Sequence, residues 1–302
     1  MVKFTWLKYI TRISLPMAIV LSVGLLAAWI PSLFQYRIGE VCATAGLMMV
    51  NAVILWLAVR QSGGSREYNG LPIIIYMFTI TAVPSLHAYW QGQIVASCIM
   101  LILLAMHRTY MERENMAEAF RNTLVLYIAA LLVDDTIWLV LLLWIGYISL
   151  GSMHFRTWLA SLLALATAAV WTVIAVYFGW MEIPFTDTIH RAWLFNSLTD
   201  YSAWQQLGLM ILTGIFLIAA FQHTDRDSIR RRKLIAAFGW IALFGVVLTF
   251  WGSAQTLFPL VQAALAGVSV LYLLQRPSEG RGAMFIVFIL VCTAMYVLPY
   301  FF

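Results

Sequence analysis

The chain of 302 residues is 63% apolar and only 10% charged, with a mean hydropathy of +0.89. These values exclude an ordinary soluble domain and predict a polytopic membrane protein. The net charge of +5 is spread over the turns between apolar runs, which argues against a nucleic-acid partner.

Long apolar segments follow one another along the whole chain. A transmembrane helix needs about 20 mostly apolar residues, with about 17 to 25 tolerated. The segments that meet this requirement are residues 13–33, 41–59, 71–87, 90–106, 158–180, 204–222, 234–251, 254–274 and 283–302. The first of them is too long for the apolar region of a typical signal peptide and lacks a small-residue cleavage site, so we expect a retained helix.

Two shorter apolar runs, 119–133 and 136–150, flank the pair Asp134 and Asp135. Fifteen helical residues rise only about 22 Å, less than the roughly 30 Å of the hydrocarbon core. The pair of runs therefore forms either two short or tilted spans or a hairpin that stops within the protein. The sequence predicts an all-α polytopic transmembrane helix bundle of about eleven spans, or nine if the 119–150 hairpin does not cross, in a single integral membrane domain, 1–302.

If the apolar segments are taken as successive membrane spans, the basic residues fall mainly on one side of the membrane. Sixteen of the eighteen Lys and Arg residues fall on the side of the N-terminus, and only Arg37 and Arg191 fall on the other. Cytoplasmic loops of membrane proteins carry an excess of Lys and Arg. We therefore predict a bacterial cytoplasmic (inner) membrane location with the N-terminus in the cytoplasm and the C-terminus outside.

The longest external stretch runs from Met181 to Ala203. After Pro184, Thr186 and Asp187 offer favourable helix N-cap chemistry. Residues 186–199 are then predicted to form a short interfacial helix on the external side. The alternative is a solvent-exposed connecting loop with an aromatic residue that anchors it at the membrane surface.

The most prominent candidates for chemistry are Asp134 and Asp135. An ionised carboxylate inside hydrocarbon is costly, so an embedded one is a functional candidate. Either Asp could act as a catalytic general base, or bind a divalent cation that bridges a phosphate. Glu40, His87 and Arg191 lie on the same external side and are candidate binding residues. The alternative is a polar hairpin tip that faces water.

Other site chemistries find little support in the sequence. The five histidines show no i, i+4 spacing with one another or with a carboxylate, so no metal site of clustered His ligands is predicted. Phosphate-binding loops, dinucleotide fingerprints and nucleophile elbows are absent. The three cysteines all fall inside apolar runs and are read as small apolar residues, and no cofactor is predicted apart from the divalent cation just named.

The stretch from Leu71 to Tyr177 resembles the membrane core of the C-type glycosyltransferases, which use polyprenyl-phosphate-linked sugars. The similarity lies in a span ending at Pro84, a short external turn, a span leaving on His107 and Arg108, and a pair of short helices. The chain is also similar to small bacterial polytopic membrane families of unassigned activity. Those glycosyltransferases carry a catalytic acidic residue in the first external loop, and here residues 31–40 offer only Glu40 beside Arg37.

This resemblance implies a role in cell-envelope assembly, in which the protein handles a lipid-linked glycan or another amphiphilic lipid as a glycosyltransferase-like protein or its accessory. Its partners would then be a membrane lipid, such as a polyprenyl-phosphate-linked one, and other membrane proteins. The alternatives are a non-enzymatic membrane subunit or scaffold of a larger complex, and a transporter. Whether the protein is an enzyme stays open at this point.

Overall fold

The computed structural model describes residues 13–61, 69–108, 115–181, 201–222, 228–251, 254–274 and 279–300. Within these ranges the chain is helical, with one isolated antiparallel bridge between Ser14 and Asn69 and no strand. The helices are α1 Leu15–Ala27, α2 Ile30–Gln35, α3 Ile38–Gln61, α4 Leu71–Thr81, α5 Trp90–Arg108, α6 Met116–Leu132, α7 Leu139–Leu150, α8 Phe155–Tyr177, α9 Tyr201–Gln222, α10 Ile229–Trp251, α11 Ala254–Leu273 and α12 Glu279–Val297. Short 3-10 turns occur at Pro84–Leu86, Asp134–Trp138 and Leu298–Tyr300.

Six helical segments are long and apolar enough to cross a membrane: Leu15–Gln35, Ile38–Gln61, Trp90–Arg108, Phe155–Tyr177, Trp204–Gln222 and Ile229–Phe250. Three shorter apolar helices fill the other long runs: Leu71–Thr81, Leu257–Leu273 and Arg281–Val297. The prediction of an all-α fold is confirmed, and the length and composition of these six helices are those of a membrane-embedded, polytopic protein. Only six segments among the described residues are long enough to span a membrane, so the predicted number of about eleven spans is not confirmed.

Helix α11 lies at the centre of the bundle. Every residue from Leu257 to Leu273 is buried, and the helix packs against α4, α5, α9 and α10. A helix that is apolar and buried all round belongs to the interior of a large protein. At Gly267 the ring of Phe238 on α10 comes so close that an added Cβ would lie 2.5 Å from it. Glycine at this position therefore lets α10 and α11 pack tightly.

The N-terminal apolar run, predicted as one span, divides into α1 and α2. The break falls at Ala28 and Trp29, just before Pro31, whose missing N–H suits the first turn of a new helix. Helix α1 packs mainly on α4. Gly70, which precedes α4, makes this possible, because a Cβ there would lie 2.2 Å from the Cβ of Ala18.

Small and hydroxylated residues join α6 to α8. The buried residues of α8 recur every three or four positions: Thr157, Ser161, Ala164, Ala168 and Thr172. Ser161 Oγ lies 2.8 Å from Thr123 Oγ1 on α6 and accepts a hydrogen bond from the Trp144 indole on α7 at 3.0 Å. Such small-residue faces let membrane helices approach closely. The rest of α8 is left facing outward.

Polar contacts define the two ends of the bundle. At one end, here called the basic end, Arg231 at the start of α10 donates to the Leu271 carbonyl at 2.5 Å, and Lys233 donates to the Ser149 carbonyl. At the other, the tyrosine end, Tyr296 donates to the Ala28 carbonyl at 2.6 Å. Helices α7 and α11 therefore end where α10 begins, and α1 ends beside the end of α12.

Candidate functional site

His87 occupies the turn between α4 and α5 at the tyrosine end. The turn exists because Pro84 opens a 3-10 segment after α4 stops at Thr81. The His87 side chain is fully buried, its ring stacks on Trp29, and its Nδ1 lies 2.7 Å from Ser32 Oγ. The Trp29 indole in turn donates to Thr81 Oγ1 at 2.9 Å.

Burial also determines the charge of this histidine. Desolvation lowers the pKa of His87 to about 3, and hydrogen bonds to the backbone of Thr81 and Ile80 offset only part of that effect. The imidazole is therefore neutral at physiological pH. His87 holds the first helices onto the α4–α5 turn, and its ring is not presented on the surface as a ligand.

Asp134 and Asp135 begin the 3-10 turn that joins α6 to α7. Asp135 is only 2% exposed and Asp134 is half-buried, so the two adjacent side chains have different surroundings, as expected for neighbours on a helical turn. The next residue, Thr136, is fully buried, and its hydroxyl has no hydrogen-bond partner among the described residues. The alternative of a solvated hairpin tip is therefore wrong for Asp135.

Glu40 and Arg191 are the remaining candidates. Glu40 is in the first turn of α3 and faces Arg37 at 4.0 Å, in an exposed pair that contributes little to stability. The turn at 134–138 packs mainly against its own flanking helices α6 and α7, while His87 is covered by Trp29 and Ser32. Arg191 and the proposed interfacial helix 186–199 lie outside the described residues. Within the described ranges no group of three or more His, Cys, Asp or Glu side chains could hold a metal ion.

Sequence reasoning missed a cluster of four tyrosines at the tyrosine end, here called the tyrosine cluster: Tyr36, Tyr89, Tyr296 and Tyr300. The rings of Tyr296 and Tyr300 lie 5.6 Å apart. The pKa of Tyr36 is raised, mainly by burial and to a smaller extent by the neighbouring Tyr89 and Tyr300. Burial also raises the pKa of Tyr300 to about 12. The hydroxyls of Tyr36 and Tyr300 therefore stay protonated. The only feature of the sequence that could have revealed this cluster is that the four tyrosines lie at the ends of three separate helical runs.

Below this cluster, an apolar groove of about 420 Å³ opens between α1, α4 and α12. We call it the side groove; its walls are Val20, Leu21, Gly24, Leu25, Ile74, Ile75, Phe78, Phe285, Phe288 and Ile289. All these side chains are hydrocarbon, and Val20 is 70% exposed at the rim. Gly24 leaves open space, since a Cβ there would meet nothing within 4 Å. The hydrogen bond between Tyr296 and Ala28 joins α12 to the end of α1, beyond the residues that line the groove.

Comparison of the chain with family models, with curated proteins and with solved structures finds no match. The resemblance to glycosyltransferase membrane cores accordingly remains a prediction. The geometry of the side groove and the tyrosine cluster is the remaining basis for a functional assignment.

Proposed function

We propose that this protein binds an amphiphilic lipid, with the hydrocarbon chain in the side groove and the polar head at the tyrosine cluster. The observation that supports the proposal is the groove itself. Its volume of about 420 Å³ falls in the range of about 300 to 1,000 Å³ typical of ligand sites. Its walls are wholly apolar, and its long side is open towards the surrounding membrane.

The two parts of the site suit the two parts of such a ligand. Apolar walls recognise a chain without demanding a particular length. Tyrosine combines an apolar ring with a hydroxyl and is therefore well placed where a chain meets a polar head. Tyr296 already donates to the Ala28 carbonyl, so the hydroxyls of Tyr36 and Tyr89 are the ones that would donate to phosphate or sugar oxygens of a polyprenyl-phosphate-linked ligand.

We further propose that the binding serves cell-envelope assembly, either in a glycosyltransferase-like protein or in an accessory to one. The side groove contains no acid, base or nucleophile, so it favours holding or presenting the lipid over transforming it. Asp134 and Asp135 remain the proposed catalytic pair if the chain carries out group transfer, with a divalent cation as the proposed helper.

A role as a membrane subunit is the second candidate, and helix α8 favours it. Only 22% of its span is buried within the protein, and it presents Leu163, Trp171 and Val173 outward. That face would suit an apolar partner helix as well as lipid. A transporter is the third alternative, and nothing in the described helices favours it over the other two.

The membrane placement is also part of the proposal: about eleven spans in a bacterial inner membrane, with the N-terminus inside and the C-terminus outside. The partition of basic residues supports it. Reporter fusions after Arg66, Arg113 and Arg232 should give cytoplasmic activity, and one after Phe302 should give external activity. A cytoplasmic signal after Phe302 would contradict the proposed odd number of spans.

The test of lipid binding uses two matched glycine variants. Gly24 and Gly46 are both exposed on apolar helices, and a Cβ meets nothing within 4 Å at either, but only Gly24 lines the side groove. Gly24→Phe should fill the groove and remove a copurifying lipid seen by native mass spectrometry in mild detergent. Gly46→Phe should retain it.

Two results would overturn the proposal: a wild-type protein that never carries lipid or binds added polyprenyl phosphate, or a Gly24→Phe variant that binds as well as Gly46→Phe. A copurifying protein that is lost on Gly24→Phe substitution would instead identify the groove as a site for a partner helix. The thermal unfolding midpoints of the two variants show whether both are folded.

A further inference from the structure

A second apolar recess lies at the basic end of the bundle, on the side opposite the tyrosine cluster. It is a narrow cleft of about 40 Å³ between α5, α6, α7 and α10. Its walls include Ile99, Leu103, Leu143 and Ile241. Trp240 lines the cleft and is 37% exposed, so the cleft reaches the outer surface of the helices. We call this recess the basic cleft.

The cleft differs from the side groove because a cation is part of its wall. Lys233 lines it, is half-buried, and directs its ammonium to the Ser149 carbonyl at the end of α7. That contact uses one of the three ammonium donors, which leaves two for another acceptor. A lysine that only capped α7 would not need an apolar recess beside it.

More positive charge lies on the first turn of α10. Arg230 and Arg232 are exposed on the first turn of α10, and Arg230 is the charged neighbour of His107 at the end of α5. A polar group of α5 and a cation of α10 therefore lie close together at the basic end. The N-terminus of α10 adds its own partial positive charge at the same place.

From this arrangement we infer that the basic cleft binds an anionic phospholipid of the adjacent leaflet. The phosphate lies between Lys233 and Arg230, which are one turn apart on the same face of α10, and the first methylenes of a chain lie in the cleft against Trp240. Charge complementarity identifies the occupant, because a recess that joins hydrocarbon walls to a cluster of cations matches a molecule with a chain next to an anionic head. A volume of about 40 Å³ holds only the first methylenes of the chain, and the rest of it lies along the outer surface of the helices. This site is independent of the lipid proposed for the side groove.

The experiment measures fluorescence quenching of Trp240 by lipids brominated on their chains. The signal of Trp240 is the difference between the wild type and Trp240→Phe, each reconstituted in vesicles. Brominated phosphatidylglycerol should quench this difference signal at a lower mole fraction than brominated phosphatidylcholine. Soluble glycerol phosphate should not reverse the quenching, because the chain is part of the ligand.

Charge variants then test the assignment of the phosphate contact. Lys233→Gln should weaken the preference for phosphatidylglycerol by about fivefold, as expected for the loss of one basic residue beside anionic lipid. Lys233→Arg should retain it. Arg60→Gln removes one charge from α3, which does not line the cleft, and should leave the preference unchanged.

Equal quenching by the two lipids in the wild type would overturn the inference, and so would an equal loss in Lys233→Gln and Arg60→Gln. If Lys233→Gln does not fold because α7 loses its cap, Ala237→Leu decides. It narrows the cleft while all the charges remain, and it should reduce quenching by phosphatidylglycerol. Full quenching in that variant would also contradict the inference.

Discussion

The imidazole of His87 lies parallel to the indole of Trp29, with 3.8 Å between ring centroids and 5° between ring planes. The contact joins the break between α1 and α2 to the turn between α4 and α5. Both residues are almost completely enclosed. A titratable ring in such a place makes the stability of the tyrosine end sensitive to acid.

The first prediction concerns that sensitivity. The folded pKa of His87, about 3, lies below the ordinary value of 6.5, so the unfolded chain binds the extra proton between these values. Stability is therefore complete above pH 6.5 and falls as the pH decreases towards 3. The expected loss at pH 5 is roughly 2 kcal/mol, at about 1.4 kcal/mol per pH unit. Unfolding midpoints at pH 7.5 and 5 measure it.

His87→Phe is the control, because phenylalanine keeps a flat ring against Trp29 and cannot be protonated. It should lower stability at neutral pH through loss of the Ser32 contact, yet reduce the difference between pH 7.5 and 5. An unchanged pH difference in this variant would assign the effect to other groups.

The second prediction compares two glycines. Gly267→Ala would bring a Cβ within 2.5 Å of the buried Phe238 ring, and such overpacking costs about 1 to 3 kcal/mol. Gly46→Ala meets nothing within 4 Å and should be neutral or stabilising, by up to about 1 kcal/mol, because alanine is the better helix former. Thermal unfolding of the two variants in one detergent gives the comparison. Equal midpoints would mean that α10 and α11 are not held as closely as described.

The third prediction concerns a buried amide that joins three helices. Gln93 Oε1 on α5 accepts from Asn51 on α3 at 3.2 Å and from Tyr76 on α4 at 3.2 Å. Gln93→Leu leaves the buried Tyr76 hydroxyl without this acceptor, at a cost of about 1 to 3 kcal/mol, while Asn51 keeps its 3.1 Å hydrogen bond to the Gln93 backbone carbonyl. Gln91→Leu, on the same helix and half-exposed, should have little effect on the unfolding midpoint. A cost no larger than that of Gln91→Leu would show that the amide bonds contribute nothing.

The fourth prediction separates the two aspartates. Asparagine is nearly isosteric with aspartate, so each Asp→Asn change removes charge at almost constant volume. Because Asp135 is enclosed and Asp134 is half-exposed, Asp135→Asn should alter both the unfolding midpoint and cellular function more than Asp134→Asn. Membrane accumulation of both variants is the control. If both changes are silent, the pair has no role in a site.

The sequence predicts where helices occur better than which of their faces are covered. All nine long apolar runs contain helix, and proline marks two boundaries that the runs alone do not show: the end of α4 before Pro84 and the break before Pro31. The central position of α11 was not predictable. Lipid tails and a protein interior are equally apolar, so a run that faces lipid and one that faces protein have the same composition.

The candidate site was predictable to a lesser extent. A carboxylate in an apolar zone is conspicuous in the sequence, which makes Asp135 a predictable candidate, and the structure does enclose it. His87 is a candidate only by the predicted side of the membrane on which it lies, and that does not reveal that Trp29 covers it. The side groove gave no signal at all, since its walls use the same Leu, Ile, Val and Phe residues that fill the rest of the bundle.

The enclosure of α11 has a consequence for biogenesis. This helix begins at Ala254 and follows almost all the other helices in chain order, yet α4, α5, α9 and α10 surround it. During synthesis those four helices leave the ribosome before the segment that completes their contacts exists. They must remain loosely associated, with lipid or an insertion factor between them, until α11 arrives. A nascent chain stalled before residue 254 should therefore be far more sensitive to protease than the finished protein.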